Sequence, residues 1–128
     1  EHGTVKNKYL GYDWNTNNTI DITANGTYSA YIIRDRAVEY LEERAKDKDP
    51  FFLYLPFQNV HAPMQVDKKY QDLYPDATGD PKILLGMISC LDDMIGDIYA
   101  ALEKNDLMKN TLIVFTSDNG APGQGQAA

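Results

Sequence analysis

An apolar run that stops abruptly at a turn is the feature that most constrains the fold of this chain. Residues 111–120 read TLIVFTSDNG, with branched and aromatic side chains from Leu112 to Phe115. This make-up is typical of a strand buried on both faces of a sheet, followed by a sharp exit into a loop. In α/β folds, ligands bind just beyond such strand ends, and Asp118 and Asn119 offer hard oxygen atoms to a divalent cation there. A plain Asx turn without a ligand would have the same sequence, so this segment alone leaves both interpretations open.

A second apolar segment ends in a similar way. Residues 50–66 read PFFLYLPFQNVHAPMQV, and Phe51 to Phe57 form another candidate for a buried strand. Pro56 near its end argues against simple continuation of that strand. The loop that follows carries His61, and Pro63 favours an extended conformation for the residue before it. A histidine in such a loop is most often satisfied by a backbone carbonyl, so His61 taken singly does not establish a function.

Helical periodicity separates these two segments and precedes the first. Residues 28–46 and 83–104 are predicted to be helices, with a shorter helix at 67–74 and a loop at 75–81. The longest helix carries an apolar stripe about 100° wide or slightly more. The stripe consists of Leu84, Met87, Ile88, Leu91, Ile95, Ile98 and Leu102. Cys90 at its flank is expected to be a partly buried, inert thiol, and Met94 a packing residue.

Two strands joined through a long helix predict an α/β fold with a right-handed βαβ unit. Residues 1–27 are polar and predict a loop-rich segment with at most one short strand. Residues 28–120 would form the core, and residues 121–128 would belong to a loop cut short. The acidic residues Asp92, Asp93 and Asp97 fall away from the apolar stripe, which indicates a solvated helix face.

Composition excludes several classes of function. The chain has 128 residues, 43% of them apolar and 24% charged, as in an ordinary soluble globular domain. Its net charge of −7 comes from 19 acidic against 12 basic residues, which argues against binding to nucleic acids or anionic membranes. No apolar run approaches the roughly 18 residues needed to span a bilayer.

The metal and nucleophile chemistry of the chain is incomplete. Calcium takes about six to eight oxygen ligands, and Asp118 and Asn119 supply a minority of them. His2 and His61 lie far apart and Cys90 is the single cysteine, so zinc is not expected. No serine or cysteine lies in a recognisable nucleophile motif. We therefore expect the chain to be part of a larger enzyme.

The two segments together resemble a known family. FFLYLPFQNVHAPMQV, followed by GMISCLDDMIGDIYAALEKNDLMKNTLIVFTSDNG, is similar to the middle of type I sulfatases, and most similar to the arylsulfatase B (N-acetylgalactosamine-4-sulfatase-like) group. The resemblance runs from about Tyr28 to Gly120. It implies an internal part of the catalytic domain, which in this family is an alkaline-phosphatase-like αβα sandwich with a mostly parallel or mixed central sheet.

The resemblance also implies roles for three residues. His61 matches an active-site histidine that contacts the sulfate ester, and Asp118 and Asn119 match the last two protein ligands of a calcium ion. The implied substrate is a sulfate ester of a sugar, such as a glycosaminoglycan residue. The implied nucleophile is a formylglycine, which a formylglycine-generating enzyme makes from Cys or Ser in a C/S-x-P-x-R motif.

The chain departs from this family in what it lacks. It contains no C/S-x-P-x-R motif, because Cys90, in ISCLDDMIG, has neither Pro nor Arg at the required offsets. The paired aspartates of the family's first strand and the lysine after the DNG loop are also absent. We therefore expect these 128 residues alone to have no sulfatase activity.

Two sequons, Asn17-Asn18-Thr19 and Asn25-Gly26-Thr27, lie in the polar segment 15–27. Such a segment tolerates glycans if the protein enters the secretory route, although sequons also occur by chance. Together with the resemblance, they indicate a lysosomal or secreted glycoprotein.

Two alternatives remain open at the level of sequence. One is a related metal-dependent phosphodiester or phosphonate hydrolase, since the wider superfamily shares metal ligands at strand ends. The other is a non-catalytic truncated chain that acts as a binding module or fails to fold. A C/S-x-P-x-R motif behind an Asp-Asp pair, upstream in the same gene, would distinguish the sulfatase from both.

Overall fold

The computed structural model describes residues 13–47 and 49–120. The elements are, in chain order, β1 (Asn15–Thr16), β2 (Thr19–Ile20), a 3₁₀ turn (Ile22–Ala24), α1 (Ser29–Asp47), α2 (Lys68–Gln71), α3 (Gly79–Lys104) and a second 3₁₀ turn (Met108–Asn110). The predictions for residues 1–12 and 121–128 lie outside the described residues. The three helices fall where the periodicity predicted them, although α2 is shorter than expected.

The helix α3 begins earlier than the sequence indicated. It includes residues 79–81, which the sequence analysis assigns to a loop. Proline is tolerated in the first helical turn, where its missing N–H would have no intrahelical acceptor. At the other end, Asp106 adopts a left-handed conformation with φ 55°. The Leu107 N–H then donates to the Leu102 carbonyl at 2.9 Å and closes the helix.

The core lies between α1 and α3. On α1, Ala30, Ala37 and Leu41 are at most 2% exposed. On α3, the buried side chains follow helical spacing and comprise Met87, Cys90, Met94, Ala101 and Leu102. Fully burying a leucine-sized side chain stabilises a fold by about 1.5–3 kcal/mol, so this interface is the main source of stability among the described residues.

The buried face of α3 is rotated relative to the predicted stripe. Met87 and Met94 are each 2% exposed, which confirms their packing role. Cys90 was placed at the flank of the stripe, but it is 0% exposed and lies at the centre of the buried face. Ile88, by contrast, is 41% exposed. The apolar spacing of a helix shows that one face is buried, but it does not show where that face is centred.

The helix α2 packs against α3 at Gly86. A Cβ atom at this position would lie 3.0 Å from Val66 Cγ1 and 3.2 Å from the carbonyl carbon of Tyr70. Contacts this short are tighter than most Cβ atoms make, so a side chain at this position would force its neighbours to shift by a few tenths of an ångström. Glycine at position 86 therefore lets the segment that follows the His61 loop lie directly on the long helix.

The two predicted long strands do not form a ladder within the described residues. The sheet there is the hairpin of β1 and β2, in which Asn15 pairs with Ile20 and Thr16 with Thr19. A strand requires a neighbouring backbone to hydrogen-bond, and residues 51–57 and 111–115 meet none in the described part of the chain. The βαβ unit predicted from these segments is accordingly not formed there.

The segment 51–57 nevertheless has the burial pattern of a strand. Phe51 and Leu53 pack against the cluster of Leu41, Ala101 and Leu102. The alternate side chains point outward, with Phe52 87% and Tyr54 74% exposed. The segment is thus an extended chain with one apolar face on the helices, as expected from the two-residue period of a strand.

The second predicted strand is more open. Leu112 is 88% exposed, and Val114 and Phe115 are each 77% exposed. The expectation that this run is buried on both faces is therefore wrong for the described structure.

In residues 13–47 and 49–120, no helix has the length and apolar character that a membrane crossing would require.

Candidate functional site

His61 lies in an exposed loop between the extended segment 51–57 and α2. Its neighbours Ala62 and Pro63 are exposed as well. The Nδ1 atom of His61 lies 2.8 Å from the carbonyl oxygen of Ala62. Because a carbonyl oxygen accepts hydrogen bonds only, Nδ1 must carry the proton of this bond. In the neutral ring, Nε2 then bears the free lone pair, and in the imidazolium it bears a second donor.

The upstream end of this loop is tied to the helices by Asn59. Its Nδ2 atom donates to the hydroxyl oxygen of Tyr28 at 3.1 Å and to the main-chain carbonyl of Met87 at 3.4 Å. Tyr28 lies one residue before α1, and Met87 lies within α3. Sequence reasoning gave Asn59 no role, because neither partner is near it in the chain.

The downstream end of the loop is tied to α1 and α2. Gln71 Nε2 donates to the carbonyl of Val66 at 2.9 Å, and the Tyr31 hydroxyl donates to Asp67 Oδ2 at 2.6 Å. The ammonium group of Lys69 lies 4.5 Å from the centroid of the Tyr70 ring, which adds a cation–π contact. The loop is therefore held at both ends and exposed in the middle.

The predicted metal ligands occupy a second exposed loop. Its turn is closed by local hydrogen bonds. The Ser117 hydroxyl donates to the carbonyl of Asn119 at 2.6 Å, and the Asn119 N–H donates to Asp118 Oδ1 at 2.9 Å. Asn119 Nδ2 donates to the carbonyl of Gly120 at 2.9 Å. These bonds use one carboxylate oxygen of Asp118 and the amide nitrogen of Asn119, so the other side-chain oxygens remain available for a cation.

The donor chemistry of this loop fits a calcium ion, but only in part. A carboxylate and an amide oxygen are suitable hard ligands, and calcium requires about six to eight such oxygens. Among the described residues, no group of three or more His, Cys, Asp or Glu side chains is arranged to hold a metal. The loop can therefore contribute two ligands to a site that other oxygens must complete.

The acidic residues of α3 form no such site. Asp92 and Asp93 are exposed, and the carboxylate of Asp97 pairs with the Arg34 guanidinium on α1. They line a surface cleft of about 610 Å³ at the junction of the three helices, away from His61 and the 117–120 loop. This confirms the interpretation of a solvated helix face.

The comparisons with known proteins identify the family. The sequence model of the family described as Sulfatase matches residues 3–127, which include both loops. The chain belongs to the sulfatase family. Arylsulfatase J of Mus musculus is 32% identical over 112 residues, which are 86% of this chain and 19% of that protein. The ulvan-active sulfatase of Formosa agariphila is 30% identical over an alignment of 131 positions, which covers 89% of this chain and 25% of that protein.

This sulfatase chain therefore spans about a fifth to a quarter of the length of these relatives. A solved structure extends the comparison to the fold. The crystal structure of Ps i-CgsB in complex with k-i-k-neocarrahexaose matches with a TM-score of 0.75 and 33% identity, over 81% of this chain and 23% of that chain. The predicted α/β sulfatase fold class is thereby confirmed, whereas the arylsulfatase B subtype stays a prediction.

Proposed function

We propose that the protein carrying this chain is a sulfuric ester hydrolase, and that the His61 loop and the 117–120 loop supply part of its active site. The observation that carries the proposal is the family match over residues 3–127, because it spans both loops. Each loop presents exposed polar side chains that suit the chemistry of a sulfate ester.

His61 would act on the ester directly. Its Nδ1 proton is donated to the Ala62 carbonyl, so Nε2 is the ring nitrogen that remains available to a ligand. In the imidazolium form, Nε2–H can hydrogen-bond a sulfate oxygen or protonate the departing alcohol oxygen. The bond to Ala62 fixes the ring orientation during that transfer.

Asp118 and Asn119 would hold a calcium ion. When bound there, calcium supplies positive charge that neutralises the non-bridging oxygens of the sulfate group. The exposed Asp118 carboxylate is the charged member of the pair, so we expect it to contribute more to the affinity for calcium than Asn119 does. The formylglycine nucleophile has no precursor motif in these 128 residues.

The substrate we propose is a sulfated sugar. Two of the comparison proteins support this class: one is named as ulvan-active, and the other was solved with a neocarrahexaose. A glycosaminoglycan residue belongs to the same class. The formylglycine-generating enzyme would be a transient partner of the complete protein.

We further propose a lysosomal or secreted location for a glycosylated protein. Asn17 occupies the turn between β1 and β2, where Asn17 and Asn18 have positive φ values of 50° and 62°. Asparagine tolerates this left-handed conformation, and the turn is exposed. Asn25 is exposed as well, so both sequons are sterically open to a glycan.

The test is turnover of an aryl sulfate by the complete protein, beside an aryl phosphate diester of the same leaving group. We expect sulfate hydrolysis to dominate, and residues 1–128 alone to give no turnover because they lack the nucleophile. Asp76→Ala, at an exposed aspartate far along the chain from both loops, is the control and should retain full activity. Preferential hydrolysis of the phosphate diester would favour the alternative, a metal-dependent phosphodiester hydrolase. Turnover of the aryl sulfate by residues 1–128 alone would contradict the expectation that these residues lack part of the active site.

A further inference from the structure

Asn59 is the residue through which the His61 loop is fixed to the helical core. One side-chain nitrogen bridges two elements, since it donates to Tyr28 Oη at 3.1 Å and to the Met87 carbonyl at 3.4 Å. Asn59 is half-buried, whereas residues 61–63 are exposed. Two residues of chain span at most about 7 Å, so a shift of Asn59 is passed directly to His61.

The chemistry of this bridge selects an amide. An Asn side chain has two N–H donors on one nitrogen, one for each acceptor. The Met87 carbonyl accepts only. The Tyr28 phenol is protonated at neutral pH, and burial raises its pKa further, so its oxygen can accept from Asn59. A leucine of similar size could form neither bond, whereas an aspartate could still accept the Tyr28 proton.

The downstream anchor lies further from His61 than this bridge does. The bonds at Val66 and Asp67 are five and six residues beyond His61, and Ala62, Pro63 and Gln65 in between are exposed. The one polar contact of the His61 ring in the described structure is the local bond to Ala62, which orients the ring within the loop but does not fix the loop on the core. Asn59 is therefore the nearer of the two anchors that fix His61 relative to α1 and α3.

We propose that Asn59 is a positioning residue that sets where His61 presents Nε2 to the sulfate ester. This inference rests on the proposed sulfatase function. Misplacement of a catalytic group by about 1 Å can cost on the order of 100-fold in rate, so the loss of two anchoring bonds should reduce kcat far more than it reduces stability.

The experiment compares Asn59→Leu, Tyr28→Phe and the double variant in the complete protein. Asn59→Leu keeps a similar size and removes both bonds, and we expect kcat to fall about 10–100-fold with KM nearly unchanged. Tyr28→Phe removes one acceptor and should give a smaller loss in the same direction. The double variant should be no slower than Asn59→Leu, because the two changes break the same bridge. Gln58→Ala, at the exposed neighbouring residue, is the matched control.

A comparison of two leaving groups distinguishes a positioning role of Asn59 from a purely structural one. A sugar sulfate has a poor leaving group that needs a proton from His61, whereas a nitrophenyl sulfate does not. Asn59→Leu should therefore slow the sugar sulfate several-fold more than the nitrophenyl sulfate, as we also expect for His61→Ala. Equal losses on both esters, or a loss no larger than that of Gln58→Ala, would overturn the proposal.

A measurement that does not depend on activity distinguishes a failure of the anchoring role of Asn59 from a failure of the proposed sulfatase function. Limited proteolysis with a nonspecific protease should cut within residues 60–65 faster in Asn59→Leu and not in Gln58→Ala. If the unmodified protein hydrolyses no sulfate ester, the proposed function fails. An unchanged rate of cleavage in Asn59→Leu would overturn the anchoring role of Asn59, whatever the activity of the protein.

Discussion

At the scale of single residues, exposure separates the two side chains that have reactive chemistry. His61 is exposed and has one ring nitrogen free, so it can meet a ligand. Cys90 is 0% exposed, and burial raises the pKa of its thiol. A thiol held in its neutral form is a poor nucleophile, so the role of Cys90 is packing.

We expect Cys90 to resist alkylation in the native protein and to react once the protein is unfolded. Because its pKa is raised, the thiolate population at neutral pH is even smaller than for an ordinary cysteine. Peptide mapping after iodoacetamide treatment measures this directly. Cys90→Ala should cost about 1 kcal/mol of stability through lost packing and leave kcat nearly unchanged. Rapid labelling of the native protein, or a large loss of kcat with normal folding, would assign Cys90 a catalytic task.

At the scale of elements, the tyrosines join α2 to the two long helices. Tyr31 donates to Asp67 at the start of α2, and Tyr70 is 3% exposed on α2 itself. Burial raises the pKa of both phenols, and the neighbouring carboxylates of Asp67 and Asp93 raise them further. The folded state therefore holds these phenol protons more tightly than the unfolded state.

This difference predicts a loss of stability at alkaline pH. The contribution of Tyr31 is fully present below the ordinary tyrosine pKa of about 10, and it is lost as the pH rises toward the folded value. The urea midpoint of the complete protein should therefore fall between about pH 9 and 11, and less steeply in Tyr31→Phe. Tyr54→Phe, at an exposed tyrosine, should keep the slope of the unmodified protein. Parallel slopes for Tyr31→Phe and the unmodified protein would contradict the prediction.

The sequence predicts the helices well and the strands poorly, for a physical reason. A helix satisfies its backbone hydrogen bonds locally, so apolar spacing located α1 to within about one residue at each end. The predicted start of α3 is too late, because the loop assigned to residues 75–81 includes Pro81, which suits the first helical turn. A strand needs a partner that its own sequence does not contain, and residues 51–57 show strand-like burial without a ladder.

At the scale of the whole molecule, the proposed site draws on two loops that lie far apart in the sequence. His61 and the Asp118-Asn119 pair could be proposed from the sequence because short motifs carry their chemistry. Asn59 was not, since its two partners are 31 and 28 residues away in the chain. The exposed apolar side chains of Phe52, Val114 and Phe115 are consistent with a chain that spans about a fifth to a quarter of the length of its relatives.

In the proposed function, His61 and Asp118 serve one reaction in different roles, with His61 acting on the ester and Asp118 on the metal. These roles are tested by turnover of a sugar sulfate by the complete protein against calcium concentration, for His61→Ala and Asp118→Ala, with Asp76→Ala as the control. We expect excess calcium to restore part of the rate of Asp118→Ala, because metal binding follows mass action. His61→Ala should be about 10²–10⁴-fold slower at every calcium concentration, as for a lost general acid. Rescue of His61→Ala by calcium, with no effect of calcium on Asp118→Ala, would contradict these assignments.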